Sequence, residues 1–259
     1  MTVARTTHRY GPGRAQVADL WRPGAREGEL PVVVLLHGGF WRGPYSKRLM
    51  RRLAAALAVR GWAAFNVEYR RMGPLGGGGG WPATFEDVAA AIDHLATLGG
   101  LDTGRVVTCG HSAGGHLALW AAGRERLPAG APGARPIGVR VTGAVSLAGV
   151  PDLVRAAELG LGGGATQALL GGSPDEVGAR YEVASPAALL PLGVPQVLVH
   201  GLDDAVVPAA LSAAYQQRAA AAGDDAVFEP VTGAGHMTLI EPSGGPWALV
   251  ASQLARLLG

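Results

Sequence analysis

Two residue types are almost missing from this 259-residue chain: Cys109 is its single cysteine and Lys47 its single lysine. One cysteine excludes an intrachain disulfide and leaves the redox compartment open. It also argues against a thiolate zinc site. Charge is scarce, at 16% of residues, with 22 basic against 20 acidic side chains and a net +2. The basic residues are scattered and form no run or stripe, so a nucleic-acid partner is not expected. No apolar stretch approaches the ~20 residues of a membrane span. The opening MTVARTTHRYGPG lacks the apolar core of a signal peptide, so the expectation is a cytoplasmic protein with no membrane partner. Hydrophobic residues make up 48%, which excludes intrinsic disorder. A chain this long buries roughly 70–75% of its unfolded surface, so one domain over residues 1–259 is expected.

There is no linker and no internal repeat. Residues 76–80 are a polyglycine loop, and no Gly-Lys-Ser/Thr follows to make it a phosphate loop. Residues 126–136 (RLPAGAPGARP) read as a second loop. Between these, strands and helices alternate. Strands are expected over residues 16–21, 32–36, 63–69, 105–109, 139–147, 195–200 and 226–231. Helices are expected over residues 47–60, 84–98, 114–123, 209–222 and 246–258, with Thr84 and Asp87 resembling a capping box. Residues 32–36 (VVVLL) are continuously apolar, as a strand buried on both faces requires. The order predicts an α/β fold with a mostly parallel sheet of about seven to eight strands, covered by helices on both faces. The chemistry of such sheets lies beyond the carboxyl ends of the strands.

Four strand ends stand out. The strand over 105–109 runs into Gly110-His111-Ser112-Ala113-Gly114, a G-x-S-x-G between strand and helix. That turn lifts a serine hydroxyl off the backbone and aims the first helical amides at whatever it attacks, so Ser112 is the expected nucleophile. The competing reading makes Ser112 a helix N-cap. Residues 32–36 run into His37-Gly38-Gly39-Phe40-Trp41, where adjacent glycines let backbone N–H groups approach a ligand. The amides of Gly39, Phe40 and Ala113 are the expected oxyanion donors, with Gly38 the near alternative. His37 is expected to brace this loop. A serine nucleophile needs a base, and the base needs an acid to fix its tautomer. His236, in Gly233-Ala234-Gly235-His236, is the expected base, and Asp203 and Asp204 compete for the acid. Asp152 is a third candidate that lines the pocket. The order Ser, Asp, His suits this architecture.

With these residues in place the chain resembles the α/β-hydrolase superfamily along nearly its whole length. HGGFW and GHSAGGH look closest to an esterase/lipase branch that includes kynurenine formamidases, feruloyl-esterase-like proteins and small carboxylesterases. The resemblance implies that Asp204, four positions before Pro208, is the acid, and that Asp203 bonds the turn. It implies a Ser112-His236-Asp204 triad working through an acyl-enzyme, with no cofactor. No H-E-x-x-H is present, and no metal is expected. Residues 149–192 form the only segment long enough for a lid, and their glycines suggest a mobile one.

Trp41, Arg42, Tyr45, Tyr69 and Met237 are candidates for a substrate pocket, with Arg70, Arg71 and Trp81 nearby. The plainer reading, preferred for Trp41 and Arg71, packs Trp41 under its own loop and leaves Arg71 solvated. Cys109 reads as a small buried apolar residue. The leading expectation is a serine hydrolase of small carboxylic esters. An arylformamidase, with Arg42 or Arg70 holding the carboxylate of N-formylkynurenine, is the close alternative. A thioesterase or tailoring hydrolase is a third. A catalytically silent binding protein is disfavoured, because nucleophile, base, acid and glycine loop are all present. A homodimer is left open.

Overall fold

The computed structural model describes residues 2–24, 28–134 and 136–259. Eight strands form one sheet: β1 (Val3–Arg9), β2 (Val17–Pro23), β3 (Leu30–Leu36), β4 (Ala63–Val67), β5 (Leu101–His111), β6 (Gly143–Leu147), β7 (Gln196–Gly201) and β8 (Ala226–Val231). Their spatial order is β1-β2-β4-β3-β5-β6-β7-β8. Strands β1 and β2 run antiparallel to their neighbours, and all other pairs are parallel.

The alternation of side chains along β3 explains why two helical layers are needed. Val32, Val34 and Leu36 point into one apolar core, and Val33 and Leu35 into the other. Helices α1 (Arg51–Val59) and α8 (Trp247–Leu258) close the second core with Leu53, Leu57, Val250 and Leu254. Helices α2 (Ala83–Asp93), α3 (Ala113–Ala122) and α7 (Ala209–Ala221) close the first. Every residue of α3 is buried, so its sequence is apolar or small all round rather than amphipathic.

Several boundaries differ from expectation. Strand β1 was not expected, because VARTTHR is polar; it lies at the sheet edge, mostly exposed, where burial imposes no apolar pattern. Helix α2 starts after Pro82 and tightens into a 3₁₀ turn at His94–Thr97. Thr84 and Asp87 form no capping box. The Thr84 hydroxyl donates to the Arg70 carbonyl at 2.7 Å, and Asp87 takes the Arg70 guanidinium at 2.7 Å. Arg135, inside the expected loop over 126–136, lies outside the described residues.

Residues 149–192 carry three helices, α4 (Leu153–Glu158), α5 (Leu161–Leu170) and α6 (Pro174–Ala184). They are tied to the body through two successive turns of α3. His116 Nε2 meets the Ala184 carbonyl at 2.9 Å, and Trp120 Nε1 donates to the Val183 carbonyl at 3.0 Å. Among the described residues no helix is long and apolar enough to cross a membrane.

Candidate active site

Ser112 sits between β5 and α3 with φ 56° and ψ −121°, a conformation that L-residues avoid. Packing enforces the turn. A Cβ on Gly110 would lie 1.9 Å from the Gly114 carbonyl oxygen, and one on Gly114 would lie 2.0 Å from that of Leu36. The Ser112 side chain makes no cap hydrogen bond, so the N-cap reading fails and its hydroxyl is uncommitted to the helix. Gly38 is its close neighbour: a Cβ there would come within 3.0 Å of Ser112 Cβ.

His236 and Asp204 meet on the loops after β8 and β7. His236 Nδ1 donates to Asp204 Oδ2 at 2.7 Å, and in the neutral ring this tautomer presents Nε2 as the acceptor. Asp204 Oδ1 accepts the amides of Val206 at 2.8 Å and Val207 at 2.9 Å. Burial opposes ionisation of Asp204, but these amides and His236 outweigh it and hold its carboxyl below the ordinary value. Asp203 is exposed; its backbone amide bonds the Ala234 carbonyl, so it serves the turn. Asp152 does not line a pocket at this site. It caps α4 through the Arg155 amide and pairs with Arg218 at 2.7 Å, because its strand end feeds directly into a helix that needs an N-cap.

Two further histidines support this side and were not singled out from sequence. His200, at the end of β7, is fully buried, with Nε2 2.9 Å from the Val207 carbonyl and 3.3 Å from Asp204 Oδ2. Its Nδ1 meets the Ser212 hydroxyl at 2.7 Å. His111 Nε2 donates to the His236 carbonyl at 2.9 Å, and the two rings lie 4.6 Å apart. Burial, then the neighbouring His236, pushes the His111 pKa down to about 3, so the ring is neutral. A histidine directly before a nucleophile or an acid loop was the available signal.

The loop after β3 is held from behind. The His37 ring stacks on Tyr69 at 4.3 Å and meets Glu68 at 3.0 Å. The Tyr69 hydroxyl donates to the His37 carbonyl at 2.7 Å. Burial works against the Glu68 charge, but the bond to His37 and the nearby Arg71 keep its carboxyl below the ordinary value. His37 thus braces the loop as expected. Gly39, Phe40 and Trp41 follow with φ 112°, 53° and 56°. Among the described residues the amides of Gly39, Phe40 and Ala113 have no protein acceptor. A left-handed run of this kind turns consecutive N–H groups away from the strand ladder.

The substrate candidates divide. Tyr69 is fully buried behind the loop and takes no part in a pocket, because its hydroxyl is held by the His37 carbonyl. Trp41 is turned inward as well, edge-on to His116 at 5.3 Å, in an aromatic cluster with Phe85, Trp81 and Trp120. Arg71 is not solvated. It is buried against Glu68 and the carbonyls of Tyr69, Gly43 and Tyr45. Arg70 is committed to Asp87. Tyr45 and Met237 are 42% and 48% exposed, and the Tyr45 ring occupies the space a Gly39 side chain would need. Arg42 donates to the Gly162 carbonyl at 2.8 Å, and the Phe40 ring fills the position of a Gly162 side chain. Cys109 is fully buried, which pushes its thiol up to about 12 and leaves it unreactive.

A parallel sheet carrying a strained serine elbow, a late His-Asp pair and a glycine loop is the α/β-hydrolase fold. The truncated form of a carbohydrate esterase from gut microbiota superposes with TM-score 0.85 over 99% of this chain and 96% of its own, at 20% identity. The chain belongs to the BD-FAE family, whose profile matches residues 18–218. It is 33% identical over 153 residues to the probable carboxylic ester hydrolase LipM of Mycobacterium tuberculosis, covering 56% of this chain and 34% of LipM. It is 31% identical over 110 residues to the kynurenine formamidase of Salmo salar, covering 42% of this chain and 35% of that enzyme. The matches thus span about a third of each of these curated relatives.

Proposed function

We propose that the protein hydrolyses small carboxylic esters with Ser112 as nucleophile, His236 as base and Asp204 as the acid that fixes the base. The 2.7 Å His236–Asp204 bond carries this reading, with His236 held against His111, the residue that precedes Ser112. His236 Nε2 takes the Ser112 proton as Oγ attacks the ester carbonyl. The carbonyl oxygen becomes an oxyanion held by the amides of Gly39, Phe40 and Ala113. Collapse breaks the C–O bond, and His236 returns the proton to the departing alcohol. Water, deprotonated by the same ring, releases the acid from Ser112. Tyr45, Met237, Phe40 and Arg42 rim the pocket, and residues 149–192 cover it through the Gly162 contact. The likeness to LipM supports ester chemistry.

One observation favours an aryl formamide as a second substrate class. Of the two arginines considered for a carboxylate, Arg70 is neutralised by Asp87, whereas Arg42 bonds only backbone carbonyls at the rim. The likeness to kynurenine formamidase points the same way. The test sets a p-nitrophenyl ester series against N-formylkynurenine, with Ser112→Ala as blank and fluorophosphonate labelling alongside. Turnover and labelling that both vanish in Ser112→Ala are expected. A folded wild type that neither labels nor turns over any of these substrates overturns the proposal.

A further inference from the structure

Outside this site lies a cleft of about 670 Å³ between the β1–β2 turn and the start of α1. Five basic side chains line it against one acid. Two of the five are neutralised: Lys47 pairs with Asp19, and Arg71 with Glu68. Arg14, Arg48 and Arg51 have no acidic partner among the described residues. They come from three separate elements: the β1–β2 turn, the 3₁₀ turn Lys47–Met50 and α1. Arg51 Nε is buried with no hydrogen-bond partner. A buried guanidinium N–H without an acceptor is unfavourable. Like charges gathered in one cleft repel as well, so the arrangement is stabilised by an anion.

The cleft continues along one wall. It shares Gly43, Pro44, Pro74 and Leu75 with a groove of about 460 Å³ whose remaining wall is Met72, Gly73, Ala168 and Arg42, the last held by the Gly162 carbonyl. The shared wall is apolar. Leu75 is 76% exposed, the most exposed large hydrophobic side chain described. A cationic end and an apolar end thus adjoin across one wall. Guanidinium forks bind phosphate oxygens in pairs, and three unpaired forks match a doubly charged group better than a single carboxylate.

We propose that this composite cleft binds a phosphate monoester bearing an apolar tail. The phosphate sits among Arg14, Arg48 and Arg51, and the tail lies on Leu75, Pro74 and Met72. The site does not depend on ester hydrolysis at Ser112.

Calorimetry at low ionic strength tests it, with octyl phosphate, octanol and inorganic phosphate as separate titrants below any micelle concentration. Octyl phosphate should bind saturably and one-to-one, with octanol and inorganic phosphate each about tenfold or more weaker. Arg14→Ser with Arg48→Glu, both exposed positions, should weaken octyl phosphate about tenfold or more. Leu75→Ser should weaken octyl phosphate and leave inorganic phosphate unchanged. Ser112→Ala should leave all three unchanged, which separates this site from the catalytic pocket. Octanol binding as tightly as octyl phosphate overturns the phosphate assignment. Inorganic phosphate binding as tightly as octyl phosphate overturns the tail assignment. Octyl phosphate binding that survives the arginine variants, or is lost in Ser112→Ala, overturns the site.

Discussion

Ser112 is approached from two sides that are built on opposite principles. On the side of the proposed base, the Asp204 carboxylate is saturated. Asp204 takes two backbone amides and His236, and His200 stands 3.3 Å from the same carboxylate. On the side of the proposed oxyanion donors, the useful groups are the unsaturated ones. The amides of Gly39, Phe40 and Ala113 are left without acceptors, and the loop is fixed by other atoms: the His37 carbonyl held by Tyr69, and the His37 ring by Glu68. A carboxylate that must stay ionised while buried requires donors on every lone pair. Donors that must meet a transient charge require rigidity without occupancy. A satisfied carboxylate therefore marks the proposed base side, and orphaned backbone amides mark the other.

The largest expected effects separate the reacting groups from their supports. Ser112→Ala and His236→Ala should each lower kcat/KM by about 10³-fold or more, and the double variant should be little worse than either. Full additivity in a steady-state comparison would contradict a single nucleophile–base unit. Asp204→Asn should cost about 10³–10⁴-fold by leaving His236 in the wrong tautomer. Asp203→Asn should stay within about twofold, because surface substitutions of this kind perturb little. The reverse ranking would move the acid to Asp203.

The oxyanion side should respond more gently. Tyr69→Phe removes the donor to the buried His37 carbonyl, so stability should drop by about 1–3 kcal/mol in urea denaturation. Its kcat should fall about tenfold with KM little changed, since the loop serves the transition state rather than the bound ester. A raised KM with intact kcat would place Tyr69 in substrate binding after all.

The smallest effect is on stability against pH. Burial pushes His111 down to about 3 and His116 down to about 4, from the ordinary 6.5. Above 6.5 both states are neutral and the rings contribute nothing to pH dependence. Below it only the unfolded chain takes up the protons, so stability falls as pH falls until the folded values are reached. The slope is at most about 1.4 kcal/mol per pH unit for each histidine. His116→Gln should flatten urea-midpoint curves across the mildly acidic range, and an unchanged slope would show that the ring is protonated in the fold.

Much of the architecture was legible because burial writes itself into sequence. VVVLL at β3, the apolar α3 and the glycines around Ser112 admit few other folds. The polar edge strand β1 was not legible, because an exposed strand carries no apolar signature. The same contrast runs through the site. The proposed nucleophile, base and acid, Ser112, His236 and Asp204, could be picked out of the sequence, since each role needs a residue type that few others can replace.

What lay around them could not be read from sequence. Tyr69, Trp41 and Arg71 are aromatic or cationic near a strand end, and nothing local says which way such a side chain turns. Tertiary packing decided it. The His37 carbonyl claimed Tyr69, the His116 edge claimed Trp41, and buried Glu68 claimed Arg71. The same packing set Arg42 and Phe40 against Gly162, more than a hundred residues away. The sequence alone determined which groups can do chemistry, because that depends on atom type and local turn geometry. The fold alone decided which groups face the substrate, because that depends on partners distant in the chain competing for the same donors and surfaces.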